Sequence, residues 1–131
     1  MQTQVTFRSS KFPAEDGEEE QINPGLWGRR LTEYLAKKLA ERGIATEEYS
    51  VEDWGYFLPV KNEGFPLALC CGHQDGDADE FLVYTEPATP KVKKFFRTID
   101  ATPQLTKLVA ALREILEADP EIREIVWTEP G

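Results

Sequence analysis

Alternating carboxylates fill the segment Asp75-Gly76-Asp77-Ala78-Asp79-Glu80. Carboxylate oxygens are good ligands for Ca²⁺, and the calcium loop of helix–loop–helix proteins begins with this alternation. However, the sixth position of that loop requires a glycine for its sharp turn, and here it holds Glu80. The residues that follow read as a strand and not as a helix. We therefore expect an acidic hairpin turn, with a calcium site formed by Asp75, Asp77 and Asp79 as the alternative.

Two neighbouring cysteines, Cys70 and Cys71, precede the single histidine, His73. Thiolate and imidazole are usual zinc ligands, but a structural zinc site takes four of them and the chain offers no second pair. Adjacent strand residues point to opposite faces, which makes a disulfide between the cysteines geometrically poor and turns Cys70 away from His73. We expect two buried, reduced cysteines and a partly exposed histidine at a strand end, without zinc and without a thiol–imidazole catalytic pair.

The segment Glu52-Asp53-Trp54-Gly55-Tyr56 places two carboxylates beside two aromatic rings. Paired carboxylates can act as acid and base on a sugar, and aromatic rings can hold a cation, but neighbouring strand residues point apart. We expect a turn or bulge from which Trp54 and Tyr56 enter the core. The alternative is a binding surface in a pocket between the first helix and the sheet, formed by Arg29, Arg30, Asp53, Trp54 and Tyr56.

One basic cluster stands out, comprising Lys91, Lys93, Lys94 and Arg97. On a helix, Lys91, Lys94 and Arg97 would share one face, opposite an apolar stripe. Such a face is usually the solvent-exposed side of an amphipathic helix, which is the structure we expect, with binding of phosphate or of an acidic partner as the alternative.

The composition limits the classes of function. The 131 residues include 24 acidic and 15 basic side chains, a net charge of −9, which disfavours general binding to nucleic acid. No apolar run approaches the ~20 residues that span a bilayer, and the amino terminus lacks a signal-peptide pattern. There is no glycine-rich phosphate loop. We therefore expect a cytoplasmic protein without catalytic residues, cofactor, nucleic acid or membrane partner.

The spacing of apolar residues and the positions of Asn, Pro and Gly predict the helices and strands that would position these residues. Residues 9–22 form an acidic loop that we expect to be solvated and mobile. A helix is predicted to open at Asn23-Pro24-Gly25 and to stop at Gly43, since Asn caps helices and Pro suits their first position. Two further helices are predicted after Thr89-Pro90 and Thr102-Pro103, the last ending at Asp119-Pro120. Alternating or continuous apolar residues predict strands at 3–7, 49–51, 54–60, 65–71, 80–86 and 122–127.

This order predicts an α+β fold in one domain, residues 1–131. We expect a two-layer sandwich with a largely antiparallel sheet of about five to six strands, because short turns join most of them. Two to three helices would pack mainly on one face. The helix between the first two strands permits one parallel crossover.

Asn23-Pro24-Gly25, Gly28-Arg29 and Glu52-Asp53-Trp54-Gly55-Tyr56 together resemble a group of small uncharacterised bacterial proteins. The resemblance covers about half of the chain and implies a bacterial cytoplasmic setting, without an activity, cofactor or catalytic residue. From charge and size we expect a non-catalytic interaction or binding protein, immunity- or adaptor-like, with a basic protein as partner. The alternative is a small-ligand-binding or enzymatic domain that uses the pocket described above.

Overall fold

The computed structural model describes residues 1–73 and 76–131. Three helices are present in this part of the chain: α1 (Glu18–Gln21), α2 (Arg29–Glu41) and α3 (Thr102–Ala118). The strands are β1 (Gln4–Arg8), β2 (Ser50–Glu52), β3 (Gly55–Val60), β4 (Leu67–His73), β5 (Glu80–Glu86), β6 (Lys91–Lys94), β7 (Arg97–Asp100) and β8 (Arg123–Thr128). None of the described helices is long and apolar enough to cross a membrane.

Six strands form the main sheet, in the order β2-β3-β4-β5-β1-β8, and β6 and β7 form a separate hairpin. All of these pairs are antiparallel. The parallel crossover that the sequence permitted is not present among them, because β1 pairs with β5 and β8 while β2 lies at the opposite edge. The predicted α+β class and the six-stranded antiparallel sheet are confirmed.

The core lies between one face of the sheet and the two long helices. Every residue of β4 is buried, as expected for a central strand with neighbours on both sides. Alternate residues of β3 and β5 join it, and α2 and α3 add their apolar stripes. The fully buried leucines of the helices are Leu31, Leu35, Leu39, Leu105, Leu108, Leu112 and Leu116.

Helix α2 begins at Arg29, five residues after the Pro24 that was predicted to open it. Residues 23–26 instead form a turn, in which the Leu26 N–H donates to the Asn23 carbonyl and Gly25 has φ = 83°. Trp27 then forms an isolated antiparallel bridge with His73 at the end of β4. This pairing requires extended backbone, and so the helix cannot begin before Gly28.

The helix predicted after Thr89-Pro90 is wrong. Its residues form the β6–β7 hairpin, in which Val92 pairs with Ile99 and Lys94 pairs with Arg97. Phe95 and Phe96 form the two-residue loop at its tip. The basic cluster therefore lies on a hairpin and not on one helical face.

Residues 9–22 are only partly the solvated loop that the sequence predicts. Phe12 is 2% exposed and packs against Tyr34 and Phe81. Glu18, the first residue of α1, is 1% exposed. This segment therefore contributes a ring and a carboxylate to the interior.

Candidate functional site

A buried carboxylate, that of Glu18, lies at the N-terminus of α2. Its Oε2 accepts hydrogen bonds from the backbone N–H groups of Gly28 (2.7 Å) and Arg29 (2.8 Å) and from the Tyr56 hydroxyl (2.8 Å). Its Oε1 accepts from the Glu15 N–H (2.9 Å). Since α2 has no side-chain cap of its own, Glu18 supplies the acceptor that the first amides of a helix need.

This arrangement shifts the pKa values of both ionisable groups, Glu18 and Tyr56. Burial of Glu18 would raise its pKa, but the three backbone N–H groups and the Tyr56 hydroxyl outweigh burial and lower the pKa of the carboxylate. Burial raises the pKa of Tyr56, and the adjacent Glu18 carboxylate raises it further. The pair is therefore a carboxylate and a neutral phenol at neutral pH, and each group is already bonded to the other.

Of the five residues predicted to line a pocket at this helix, the structure brings Arg29 and Tyr56 together at Glu18, while Arg30, Asp53 and Trp54 lie apart from them. Tyr56 is fully buried, and Arg29 donates to the side-chain oxygens of Gln21 (2.7 Å) and Glu15 (3.4 Å). Arg30 is exposed, and the exposed Asp53 contributes only its backbone carbonyl, to the Asn23 side chain.

Trp54 precedes β3 in the two-residue turn between β2 and β3. It is half-buried and lies beside Tyr84, at 6.2 Å between ring centroids. Tyr84 lies between Val83 and Thr85, which are buried, so its side chain points away from the helices. The turn was predicted, but Tyr56 enters the core without Trp54.

Three glycines, Gly28, Gly55 and Gly72, lie where backbone segments approach each other closely. This close approach accounts for the glycines of the Gly28-Arg29 and Trp54-Gly55-Tyr56 segments. A Cβ on Gly28 would lie 2.9 Å from the Gly72 Cα, and a Cβ on Gly55 would lie 2.7 Å from the Cys71 carbonyl oxygen. Gly55 also has φ = 146°. The start of α2, the start of β3 and the end of β4 therefore meet backbone to backbone, and these motifs are structural.

Two of the three carboxylates proposed for calcium, Asp77 and Asp79, are bound to arginines. Arg8 contacts Asp77 at 2.7 Å and Asp79 at 2.8 Å, and Arg123 donates to the other oxygen of Asp79. Hydrogen bonds from Arg123 and Arg8 lower the pKa of Asp79. Asp75 lies outside the described residues. Among residues 1–73 and 76–131, no three His, Cys, Asp or Glu side chains could together hold a metal ion.

Cys70 and Cys71 are buried, free thiols, as predicted. Burial raises the pKa of Cys70 to about 12, and the Glu86 carboxylate adds to this shift. Burial likewise raises the pKa of Cys71. Both therefore remain protonated at neutral pH, whereas nucleophilic attack and metal ligation require the thiolate.

His73 is buried, 4% exposed, where a partly exposed side chain was predicted. Its ring stacks on Trp27 at 3.7 Å between centroids. Nδ1 lies 2.7 Å from the Gly25 carbonyl oxygen and Nε2 lies 2.9 Å from that of Asp77. Each ring nitrogen therefore faces a backbone carbonyl oxygen, one in the turn before α2 and one in the turn before β5.

The β6–β7 hairpin carries the largest exposed apolar side chains of the described residues, and their exposure was not predicted. Phe95 is 92% exposed and Phe96 is fully exposed. Four exposed cations lie on the same two strands: Lys91, Lys93, Lys94 and Arg97. None of the ion pairs found in the described part of the chain involves these cations.

The hairpin is held at its base while its tip is in solvent. Val92 and Ile99 pack against the core, and the Ala101 N–H donates to the Pro90 carbonyl oxygen at 2.6 Å. The Lys94 ammonium donates to the Gly64 carbonyl oxygen at 3.1 Å. Phe95 has φ = 56°, a backbone conformation that glycine or asparagine normally supplies in two-residue loops. We call residues 91–97 with this exposed tip the basic aromatic hairpin.

Comparisons with known proteins add no functional information: no family model matches the chain, and neither a curated protein nor a solved structure matches it.

Proposed function

We propose that this chain is a non-catalytic binding protein that contacts a protein partner through the basic aromatic hairpin. The observation that carries the proposal is the full exposure of two adjacent phenylalanines, Phe95 and Phe96, at the tip of an anchored hairpin.

The cost of this tip argues that it is retained for function. Burying a phenylalanine stabilises a protein by about 1.5–3 kcal/mol, and neither ring of the tip gains this in the free chain. The positive φ of Phe95 adds strain of about 1–3 kcal/mol. A glycine or asparagine at position 95 would remove both the exposed ring and the backbone strain. Aromatic residues, phenylalanine included, are also enriched in the cores of protein–protein interfaces.

The polar groups near α2 offer less to a substrate than the hairpin offers to a partner. Glu18 and Tyr56 are buried and bonded to each other, and Arg29 is bonded to Gln21 and Glu15. A reacting molecule would first have to break these contacts. We therefore favour a binding surface over the alternative of a pocket between the first helix and the sheet.

The charges of the hairpin specify the contact surface on the partner. Lys93, Lys94 and Arg97 flank the two rings, so the complementary surface is an apolar recess with an acidic rim. An extended anionic surface such as nucleic acid or a bilayer would instead meet the whole molecule, whose net charge is −9. A recessed acidic site would contact only the hairpin. The negative charges elsewhere on the chain act on such a site only where they lie within a Debye length of about 10 Å.

We also propose a cytoplasmic location. Cys70 and Cys71 are free thiols in the core, and free cysteines of this kind are typical of a reducing compartment.

The experiment that tests the function is capture of partners from a lysate of the source organism. The tagged chain is compared with the Phe95→Ser/Phe96→Ser variant and with Val126→Ser, which removes a 53% exposed apolar side chain from β8. We expect wild type and Val126→Ser to retain the same protein at low salt, and the double variant to lose it. Equal retention by all three baits would contradict the proposal.

A further inference from the structure

An acidic, partly apolar depression lies on the same chain as the basic aromatic hairpin. Its volume is about 580 Å³, and its lining residues are Glu19, Glu20, Ile22, Asn23 and Pro24. We call it the acidic depression. Ile22 and Pro24 supply apolar surface, while Glu19 and Glu20 supply two carboxylates, and the Gly25 N–H fixes the Glu19 side chain at 2.8 Å.

The depression has the chemistry that the hairpin requires. Two phenylalanine rings need an apolar recess, and the cations beside them need carboxylates at its rim. Residues 18–20 are consecutive glutamates, of which Glu18 is buried and Glu19 and Glu20 are exposed. The two surfaces are therefore complementary in both polarity and charge.

The two surfaces belong to opposite ends of β4. The hairpin is tied to the residues before β4, through the Lys94–Gly64 hydrogen bond. The depression adjoins its last residue, because the Gly25 and Trp27 carbonyl oxygens both bond to His73. Lys94 immediately precedes the tip, so the tip lies near Gly64, and the seven residues of β4 place the depression about 20 Å from that end of the strand. The tip therefore cannot reach the depression of its own chain.

We infer that the chain self-associates, with the Phe95–Phe96 tip of one copy seated in the acidic depression of another. The inference rests on the proposed function and names a second copy as a partner. Salt weakens the association, because the cations and carboxylates are exposed in the free chains.

Sedimentation velocity tests this with two complementary variants. The hairpin variant, Phe95→Ser/Phe96→Ser, keeps its depression, and the depression variant, Glu20→Lys/Ile22→Ser, keeps its hairpin. Glu19 is left intact because it bonds to Gly25. Wild type is expected to associate with increasing concentration at low salt, and each variant alone is expected to be monomeric. An equimolar mixture of the two is expected to form a 1:1 complex, since one intact contact remains.

Controls separate a lost contact from a lost fold. Val126→Ser and Glu117→Lys change an exposed apolar and an exposed acidic residue elsewhere, and both are expected to associate as wild type does. Lys93→Glu alone is expected to weaken association at least about tenfold. Circular dichroism verifies that every variant is folded. If the depression variant is not folded, the single substitution Glu20→Lys is used in its place.

Three results would overturn the inference: a monomeric wild type at every concentration, a variant that associates as wild type does, or a mixture that remains monomeric. A monomeric wild type that still captures a different protein through Phe95 and Phe96 would overturn only the self-association. In that case the proposed function stands. Loss of both self-association and capture would remove both proposals.

Discussion

At the residue scale, Phe95 combines a strained backbone with a solvent-exposed ring. Asparagine tolerates positive φ far better than phenylalanine does. We therefore predict that Phe95→Asn raises the free energy of unfolding by about 1 kcal/mol, measured by urea denaturation, while partner binding is lost. Phe96→Asn is the matched control, because Phe96 is equally exposed without a positive φ, and its stability should stay within about 0.5 kcal/mol of wild type.

Such a gain in stability with a loss of binding would identify Phe95 as a residue kept for function. A Phe95→Asn variant that is less stable than wild type would show instead that the ring contributes to the fold.

Glu18 is a second residue whose role is open to measurement. Glu18→Gln keeps the shape but removes the charge and turns one acceptor into a donor facing N–H groups. We predict a loss of about 2 kcal/mol in the free energy of unfolding, because the three backbone N–H contacts lose their charge assistance and at least one of them then faces the amide NH2. The neighbouring Glu20→Gln, on an exposed side chain, should change it by less than about 0.5 kcal/mol. Similar losses in the two variants would contradict the capping role.

Sequence reasoning predicted some residues well and others not. The burial of Cys70 and Cys71 followed from an apolar run, because such a run has no solvent-facing alternation. Glu18 could not be separated from the other carboxylates of its acidic run by residue type. Its signal is indirect: once α2 is known to begin at Arg29, the helix lacks a capping side chain, and an acceptor from elsewhere is required.

At the element scale, the β6–β7 hairpin shows how one pattern can fit two structures. Val92, Phe95, Phe96 and Ile99 lie at helical spacing. The same residues are symmetric about a two-residue loop, with Val92 opposite Ile99. Apolar periodicity alone does not distinguish these cases over such a short segment. Strand pairing and the packing of Val92 and Ile99 on the core decide for the hairpin.

The longer elements were predictable because they carry repeated signals. Helix α3 runs from Thr102 to Ala118, between the predicted Thr-Pro start and Asp-Pro stop. Strand β5 has its predicted bounds, Glu80–Glu86. The start of α2 was wrong because Trp27 pairs with His73, and this tertiary contact overrides the local capping signal at Asn23.

The three-glycine junction gives a prediction at the same scale. Gly55→Ala would place a Cβ 2.7 Å from the Cys71 carbonyl oxygen, at a positive φ. We predict a loss of more than about 2 kcal/mol in the free energy of unfolding. Gly64→Ala is the control, since Gly64 has φ = 96° and no atom near its Cβ, so only the cost of the backbone conformation remains. If the two variants lose the same free energy of unfolding, close packing at the junction contributes nothing to stability.

At the scale of the whole molecule, Asp119 joins three parts of the chain. Its carboxylate accepts from Lys11 (2.5 Å) and from Tyr34 on α2 (2.6 Å), and it follows the last residue of α3. Burial alone would raise the pKa of Asp119, but the hydrogen bonds from Lys11 and Tyr34 lower it to about 2, from an ordinary value of 3.8.

This shift predicts acid sensitivity. The folded-state pKa lies below the unfolded one, so the stabilisation is complete above pH ~4 and is lost as the pH falls towards ~2. The amount at neutral pH is about 2 kcal/mol. Asp119→Asn should therefore be less stable than wild type at neutral pH, and the difference should shrink on acidification. Urea denaturation at several pH values measures this, and a difference that is constant with pH would contradict the assignment.

Photo-crosslinking shows directly whether the hairpin tip is the contact surface. The variant Phe96→p-benzoylphenylalanine is irradiated in a lysate of the source organism, beside a chain with the same residue at position 126. We predict a defined crosslinked protein, a second copy of this chain or another partner, from position 96 only. No crosslink at position 96, or the same products from both positions, would contradict the claim.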